Sequence, residues 1–472
     1  MDKTLWEKAL AFSFDNPNDE YGFSTRLALE NHWTLYFTQS AILEYKKFLF
    51  LAATNNEMVS PSEIVDIVWH QHLIFTNSYS DFCSLFGKRI EHIPSTHNKS
   101  EFEKFQIAKE RTTTLYELNF GAQPAEVWNY NNEFDSLQLE KSKFDVKKLR
   151  KNFFKYTLIA SIPVYLIIYS LLIKIQNPYF IIGYLLLYVA VFLVLKYYVR
   201  NKFSSLYAEL ESNAIVKNLT AFELVYFRDN SLDAVIHGVM NKLIERNKVK
   251  ILGNNRLELI DESLGYNPYE NCVIEVMKEF DPMPYKQLCW NVRQKPIFEQ
   301  LQKATYRIKD RIIASKPFTN VMIVAMISLG TLLTIGLSRL FSGFWRDKPI
   351  VFLVIALVPL VFITLYYLNQ LLNLIFTDII PSSTKEKVLS RGESQRDWEW
   401  DYFLYGTAVL STAFIPLINY ASPSSLSSGD YFSFSSSDSS SSCGSSCGSS
   451  GSSCGSSCGS SCGSSCGGCG GD

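Results

Sequence analysis

The chain has 472 residues and an even charge balance, 45 Lys and Arg against 46 Asp and Glu, so composition gives no global pull toward nucleic acid. Its length leaves room for about two or three folded units. A mean hydropathy near zero is the sum of ordinary soluble segments, very apolar runs and a polar tail, which excludes a uniformly soluble chain.

The first residues, Met1-Asp2-Lys3-Thr4-Leu5-Trp6-Glu7-Lys8, place acidic groups where a signal peptide needs a basic stretch followed by an apolar one. The N-terminal part is therefore expected to stay unexported. Only Cys83, Cys272 and Cys289 precede the tail, which is no disulfide framework and fits a reducing compartment.

Residues 1–135 are predicted to form an all-helical domain. Helices are expected from Ser24 to His32 and from Ser40 to Thr54, the latter with Ile42, Tyr45, Phe48, Leu49 and Ala52 on one face. Ser60-Pro61-Ser62-Glu63 reads as a capping box with proline at the first helical position, opening a helix to about Phe75. A short helix from Ser78 to Phe86 should stop at Gly87, and another runs from Ser100 to near Gly121.

Within this domain the run SPSEIVDIVWHQHLIFTNSYSDFCSLFGKRIEHIP, Ser60 to Pro94, resembles the motif of the glycine-rich domain-containing protein-like family. There an acidic residue precedes Trp-His and is followed by Thr-x-x-Tyr, Phe-Cys, Phe-Gly and His-x-Pro. The resemblance extends to Arg26–Asn31 and Glu44–Phe48 upstream, and to Thr113–Tyr116 and Phe120-Gly121 downstream. It implies a domain without implying a settled activity, substrate or set of catalytic residues.

Five of the six histidines (His32, His70, His72, His92 and His97) and Cys83 fall in this domain. His70, Cys83 and His92 lie on neighbouring elements, and imidazole plus thiolate suits zinc. On one helix His70 and His72 point about 200° apart, so they do not share a metal. Asp66, one turn before His70, suits an outer-shell partner or a structural hydrogen bond. Cys83 between Phe82 and Phe86 reads as core, so the set is expected to be a buried structural network first, with a metal site and a catalytic thiol as the alternatives.

A basic linker, 136–155, leads to two apolar runs within 156–199, broken by Lys174-Ile175-Gln176-Asn177-Pro178. Each is close to the roughly 20 residues a helix needs to cross a bilayer, and backbone left open in lipid is not tolerated, so a transmembrane hairpin is expected. A second hairpin is predicted at 319–368. Basic residues flank both pairs, Lys147, Lys148, Arg150, Lys196, Arg200, Arg307, Lys316, Lys385 and Lys387 among them, which places these flanks in the cytoplasm. Deep in these four runs there is nothing ionisable, against the pattern of a pump, channel or ion-coupled carrier.

Between the hairpins, residues 200–317 read as a cytosolic winged-helix-like segment: a helix from Leu219, a second capped by Ser231, then a two-stranded hairpin around Gly253-Asn254-Asn255. Lys242, Arg246, Lys248 and Lys250 invite a membrane-tethered DNA-binding reading, but Glu245 and Glu258 dilute the patch and no nucleic acid is expected. Residues 140 to 420, with LTAFELVYF at Leu219–Phe227, Gly336-Leu337-Ser338-Arg339 and Arg346-Asp347-Lys348-Pro349, resemble an uncharacterised bacterial membrane-protein domain that precedes Gly- and Cys-rich tails. Asp229-Asn230 stands where that domain has two glycines, a change that a turn tolerates.

A cytosolic linker, 369–402, leads to a fifth apolar run, 403–421, predicted to cross as a fifth helix and so to put the tail outside. Residues 422–472 are dominated by Ser, Gly and Cys and should be disordered. Their seven cysteines, from Cys443 to Cys469, suit a soft metal, with Cys466 and Cys469 the best local pair, or disulfides to one another or to a protein partner, or a processed product.

The whole reads as a mainly α, multi-pass bacterial inner- or plasma-membrane protein with the lipid bilayer as its first partner. An interaction or anchoring role displaying a thiol-rich tail is expected rather than an enzyme. Metal handling through the histidine and cysteine sets is the alternative.

Overall fold

A computed structural model describes residues 2–93, 101–280, 282–390 and 397–421. The chain is mainly helical. The first helices are α1 Lys3–Ala11, α2 Phe23–Asn31, α3 Leu35–Thr54, α4 Glu63–Ile74, α5 Thr76–Ser84, α6 Phe102–Phe120 and α7 Ala125–Trp128. Phe23, Phe37, Tyr45, Phe48, Val68 and Phe82 bury together at their centre. Gly87 and Gly121, both at positive φ, turn the chain just beyond α5 and α6, a conformation glycine enters without a Cβ clash.

Two of the expected caps act differently. Ser62, not Ser60, accepts from the amide of Val65 at 3.2 Å, because Ser60 is already engaged through its own amide and carbonyl by Thr112 Oγ1 at 2.8 and 3.0 Å. Ser24 caps nothing on its own helix; its amide donates to Asp15 Oδ1 at 2.8 Å and its hydroxyl to Asp15 Oδ2.

Four helices among the described residues are long and apolar enough to cross a membrane: Phe153–Ser170, Pro178–Leu210, Lys316–Trp345 and Val351–Ser390. After the short helix α8, Val146–Lys151, they are α9 Phe153–Leu172, α10 Asn177–Leu210, α17 Lys316–Trp345 and α18 Val351–Leu374, the last prolonged through a π-turn at Ile375–Ile379 into α19 Ile380–Ser390. Chain order suggests α9 beside α10, yet α17 is the hub, packed on α9, α10 and α18. Of its apolar stretch 61% is buried, against 17 to 28% for the other three. Gly336 marks a close approach: a Cβ there would stand 2.6 Å from both Tyr184 Oη of α10 and Leu357 Cδ1 of α18, the use of a small residue seen where membrane helices touch.

The residues between the spans are α11 Ala214–Lys217, α12 Ala221–Asp229, α13 Leu232–Glu245, strands β1 Val249–Leu252 and β2 Arg256–Leu259, α14 Pro268–Glu279, strand β3 Met283–Pro284, α15 Tyr285–Arg293 and α16 Pro296–Ile313. Thr220 and Glu223 form a full capping box on α12, and Asn230 ends that helix at φ 49°. Asn254 and Asn255, at φ 61° and 58°, close the β1–β2 hairpin, the geometry such turns favour. A third short strand, β3, extends the expected hairpin to an antiparallel β1-β2-β3 sheet.

The fifth predicted span does not form. Residues 398–421 break into α20 Trp398–Tyr405, a 3-10 turn at Gly406–Val409 and α21 Ile415–Ala421. Gly406 leaves helical geometry at φ 57°, and neither helix approaches the ~20 residues a crossing requires. The apolar side chains pack sideways on the soluble segment instead: Tyr402 Oη donates to Ala234 O at 2.6 Å, the amide of Ser411 to Asn241 Oδ1 at 2.8 Å, and the Phe414 ring lies 5.2 Å from Tyr285.

Candidate functional site

Helix α4 presents two unlike faces. His72 points inward and is fully buried, with Nδ1 2.9 Å from Tyr45 Oη and Nε2 3.1 Å from Ser78 Oγ. Burial among Phe14, Phe23, Tyr79 and Phe82 pushes its pKa down to about 3, so this ring is a neutral structural group. His70 and Asp66, four residues apart, share the outer face. His92, on the segment after α5, swings back to meet them.

His92 Nε2 lies 3.1 Å from His70 Nε2 and 2.9 Å from Asp66 Oδ1, and His70 Nε2 stands 3.6 Å from Asp66 Oδ2. The approach is held from behind. The His92 ring meets Trp69 edge-on at 4.5 Å, Trp69 Nε1 donates to Tyr79 Oη at 3.1 Å, and Tyr79 Oη donates to Ile90 O, two residues before His92. The histidines grade from a largely buried His92 to an exposed His70, with side-chain exposures of 15% and 59%.

Of the residues singled out in the sequence, His70 and His92 come together and Cys83 does not join them. Its thiol lies buried in the core with Phe82 and Tyr79, outside the group of ligand-bearing atoms formed by Asp66, His70 and His92. Asp66 stands as a direct neighbour of both imidazoles. Its i, i+4 spacing to His70 was the signal available, while His92, 22 residues further on, is reached only through the tertiary fold. His32 ends α2 at φ 58°. His97, Cys466 and Cys469 lie outside the described residues.

Three of the four basic residues singled out beside the β1–β2 hairpin are engaged within the chain. Arg246 Nη1 lies 2.7 Å from Glu270 Oε2, Lys248 Nζ 2.8 Å from Asp261 Oδ2 and Lys242 Nζ 3.1 Å from Glu245 Oε2. Cys272 and Cys289 are buried, and burial pushes both thiols up to about 12, which keeps them protonated and unreactive.

A second polar cluster ties the N-terminal helices to the rest. Glu133, fully buried, accepts from Thr34 Oγ1 at 2.7 Å and from the Thr34 amide at 3.3 Å. Glu223 accepts from the amide of Leu35 at 3.4 Å, and Gln300 Nε2 donates to Trp33 O at 2.7 Å. Burial pushes the Glu133 carboxyl up to about 8, opposed by the Thr34 bonds and reinforced by the charge of Glu223. Burial likewise raises Glu223.

Residues 29–112 match the UCP032817-like family. The chain is also similar to two curated proteins of Arabidopsis thaliana. Glycine-rich domain-containing protein 1 is 33% identical over 91 residues, 18% of this chain and 11% of its own length. Glycine-rich domain-containing protein 2 is 32% identical over 91 residues, 18% of this chain and 12% of its own length. The chain thus spans about a ninth of the length of the curated relatives it matches. No solved structure matches it. These likenesses agree with the resemblance read from Ser60 to Pro94, and the family match covers Asp66, His70 and His92.

Proposed function

We propose that the chain is an integral membrane protein whose transmembrane bundle anchors a docked helical unit at the cytoplasmic face, and whose Cys-rich tail engages a protein partner. The observation that carries this reading is the continuity between bundle and soluble parts. Helix α10 has 34 residues, roughly 51 Å at 1.5 Å per residue, well beyond a hydrocarbon core of about 30 Å. Its far end buries Phe203, Leu206 and Leu210 in the same core as Phe222, Val239 and Leu301. The N-terminal unit takes Ile215 of α11 into its own core.

The connector is fastened as well. Lys316 N donates to Glu140 O at 2.7 Å and Ser142 N to Ala314 O at 2.8 Å, at the very start of α17. The basic flanks that read as cytoplasmic support the orientation. The resemblance of residues 140 to 420 to a bacterial membrane-protein domain supports the bacterial setting. The ion pairs of Lys242, Arg246 and Lys248 weaken the DNA-binding alternative.

The test is a specific protease site placed in the exposed stretch between Gly121 and Pro124. After cleavage of washed membranes, the N-terminal fragment is expected to stay with the membrane at neutral pH, held through Trp33, Thr34 and Leu35. Release of a folded fragment on cleavage alone would rule out docking.

A further inference from the structure

We infer that Asp66, His70 and His92 form a divalent transition-metal site of the exchangeable, three-ligand type. Three different donor groups converge from two elements: a carboxylate and an imidazole one turn apart on α4, and an imidazole brought in by the segment after α5. With one ligand atom from each residue, the three lie within 4.8 Å of one another: His92 Nε2 is 3.1 Å from His70 Nε2, and the carboxylate reaches His92 with Oδ1 at 2.9 Å and His70 with Oδ2 at 3.6 Å. Zinc bonds of about 2.0–2.2 Å at tetrahedral angles set ligand atoms roughly 3.3 to 3.5 Å apart. An ion is therefore accommodated by modest rotation of these three side chains, without moving α4.

The donor set selects the metal class. Two imidazoles and one carboxylate suit zinc and the neighbouring Fe(II), Co(II) and Ni(II) ions, whereas calcium and magnesium prefer all-oxygen shells. With no thiolate in the set, a copper(I) trap is disfavoured. Structural zinc sites close their shell with four protein ligands, while three-ligand sites keep a position for water or substrate. The exposed His70 puts that open side toward solvent. This distinguishes the site from the expected His70, Cys83 and His92 combination, in which the thiol would have to leave the aromatic core. It is independent of the anchoring role proposed above.

The seven tail cysteines would bind metal too, so the experiment removes them chemically. Full-length protein in detergent micelles is treated with iodoacetamide, which spares the buried Cys83, Cys272 and Cys289, and is then titrated with Co(II). The expected result is one equivalent bound with ligand-field absorption and no thiolate-to-cobalt charge-transfer band, displaced by Zn(II). His70→Ala and Asp66→Asn should each weaken binding about tenfold or more, and His92→Ala likewise. Since His70 is exposed, His70→Ala should melt in EDTA at the temperature of the unmodified sequence, so that loss of metal is separable from loss of fold. Stoichiometric binding unaffected by the His70→Ala/His92→Ala double change would overturn the proposal, as would a charge-transfer band removed by Cys83→Ser, or no binding at all.

Discussion

Two buried ionisable side chains set opposite responses to pH. Glu133 keeps its proton to about pH 8 in the fold, whereas an unfolded chain releases it near pH 4.5. Between these values the native state binds more protons, so stability falls as pH rises through that window. His72 is held neutral down to about pH 3, while an unfolded imidazole charges near 6.5. Here the unfolded state binds more protons, and stability falls as pH drops below about 6.5. Glu133→Gln mimics the protonated carboxyl, and should make the melting temperature of the full chain decline less steeply between about pH 4.5 and 8 than that of the unmodified sequence, with Glu223, which burial also raises, left to contribute the remaining slope. The difference should be on the order of a few kcal/mol at the alkaline end, read by melting in detergent. An equal decline in both proteins would mean that Glu133 does not govern the junction.

Elements, more than single residues, decided what the sequence could reveal. The four apolar spans were legible because a bilayer demands some 20 apolar residues in a row, a purely local requirement. The start of α12 was legible in the Leu219–Glu223 stretch, although the reciprocal cap of Thr220 and Glu223 was seen only in the structure. The run at 403–421 has the right composition but spends its apolar faces on α12, α13 and α15, which only the tertiary fold shows. The same holds for α17 as hub, since connection order does not say which membrane helices touch. For the candidate metal ligands, the Asp66 and His70 pair was readable as a shared helix face. The arrival of His92 depended on the segment fixed by the Tyr79–Ile90 bond, and the retreat of Cys83 on the packing of α5 into the aromatic core. The docking of α20 can be probed at Gly238, where a Cβ would stand 2.6 Å from Tyr402 Cε1. Gly238→Val should push α20 off α13 at a penalty of about 1–3 kcal/mol and raise protease cleavage near Tyr405. A silent Gly238→Val would show that α20 does not rest there.

At the scale of the whole molecule, the number of crossings fixes where the tail cysteines sit. Five crossings put the N-terminus and the tail on opposite sides of the membrane; four put them on the same side. With 403–421 folded against α13 and α15, and on the cytoplasmic orientation proposed above from the basic flanks, the tail is expected to share the reducing compartment. There, thiols favour metal or partner binding over lasting disulfides. Cys83, Cys272 and Cys289 are all buried, so a membrane-impermeant thiol reagent reports on the tail alone. Intact cells should give no labelling, and lysed cells should give strong labelling that is lost when the chain is cut after Ser442. Labelling of intact cells would instead mean either an odd number of crossings, with residues 403–421 returned to the membrane, or four crossings in the inverted orientation, which an epitope at the N-terminus distinguishes. The two outcomes lead to different partners: a cytosolic tail meets soluble metal carriers and the docked N-terminal unit's own surroundings, whereas an external tail meets oxidants and the cell envelope. The topology must therefore be measured before any partner is sought.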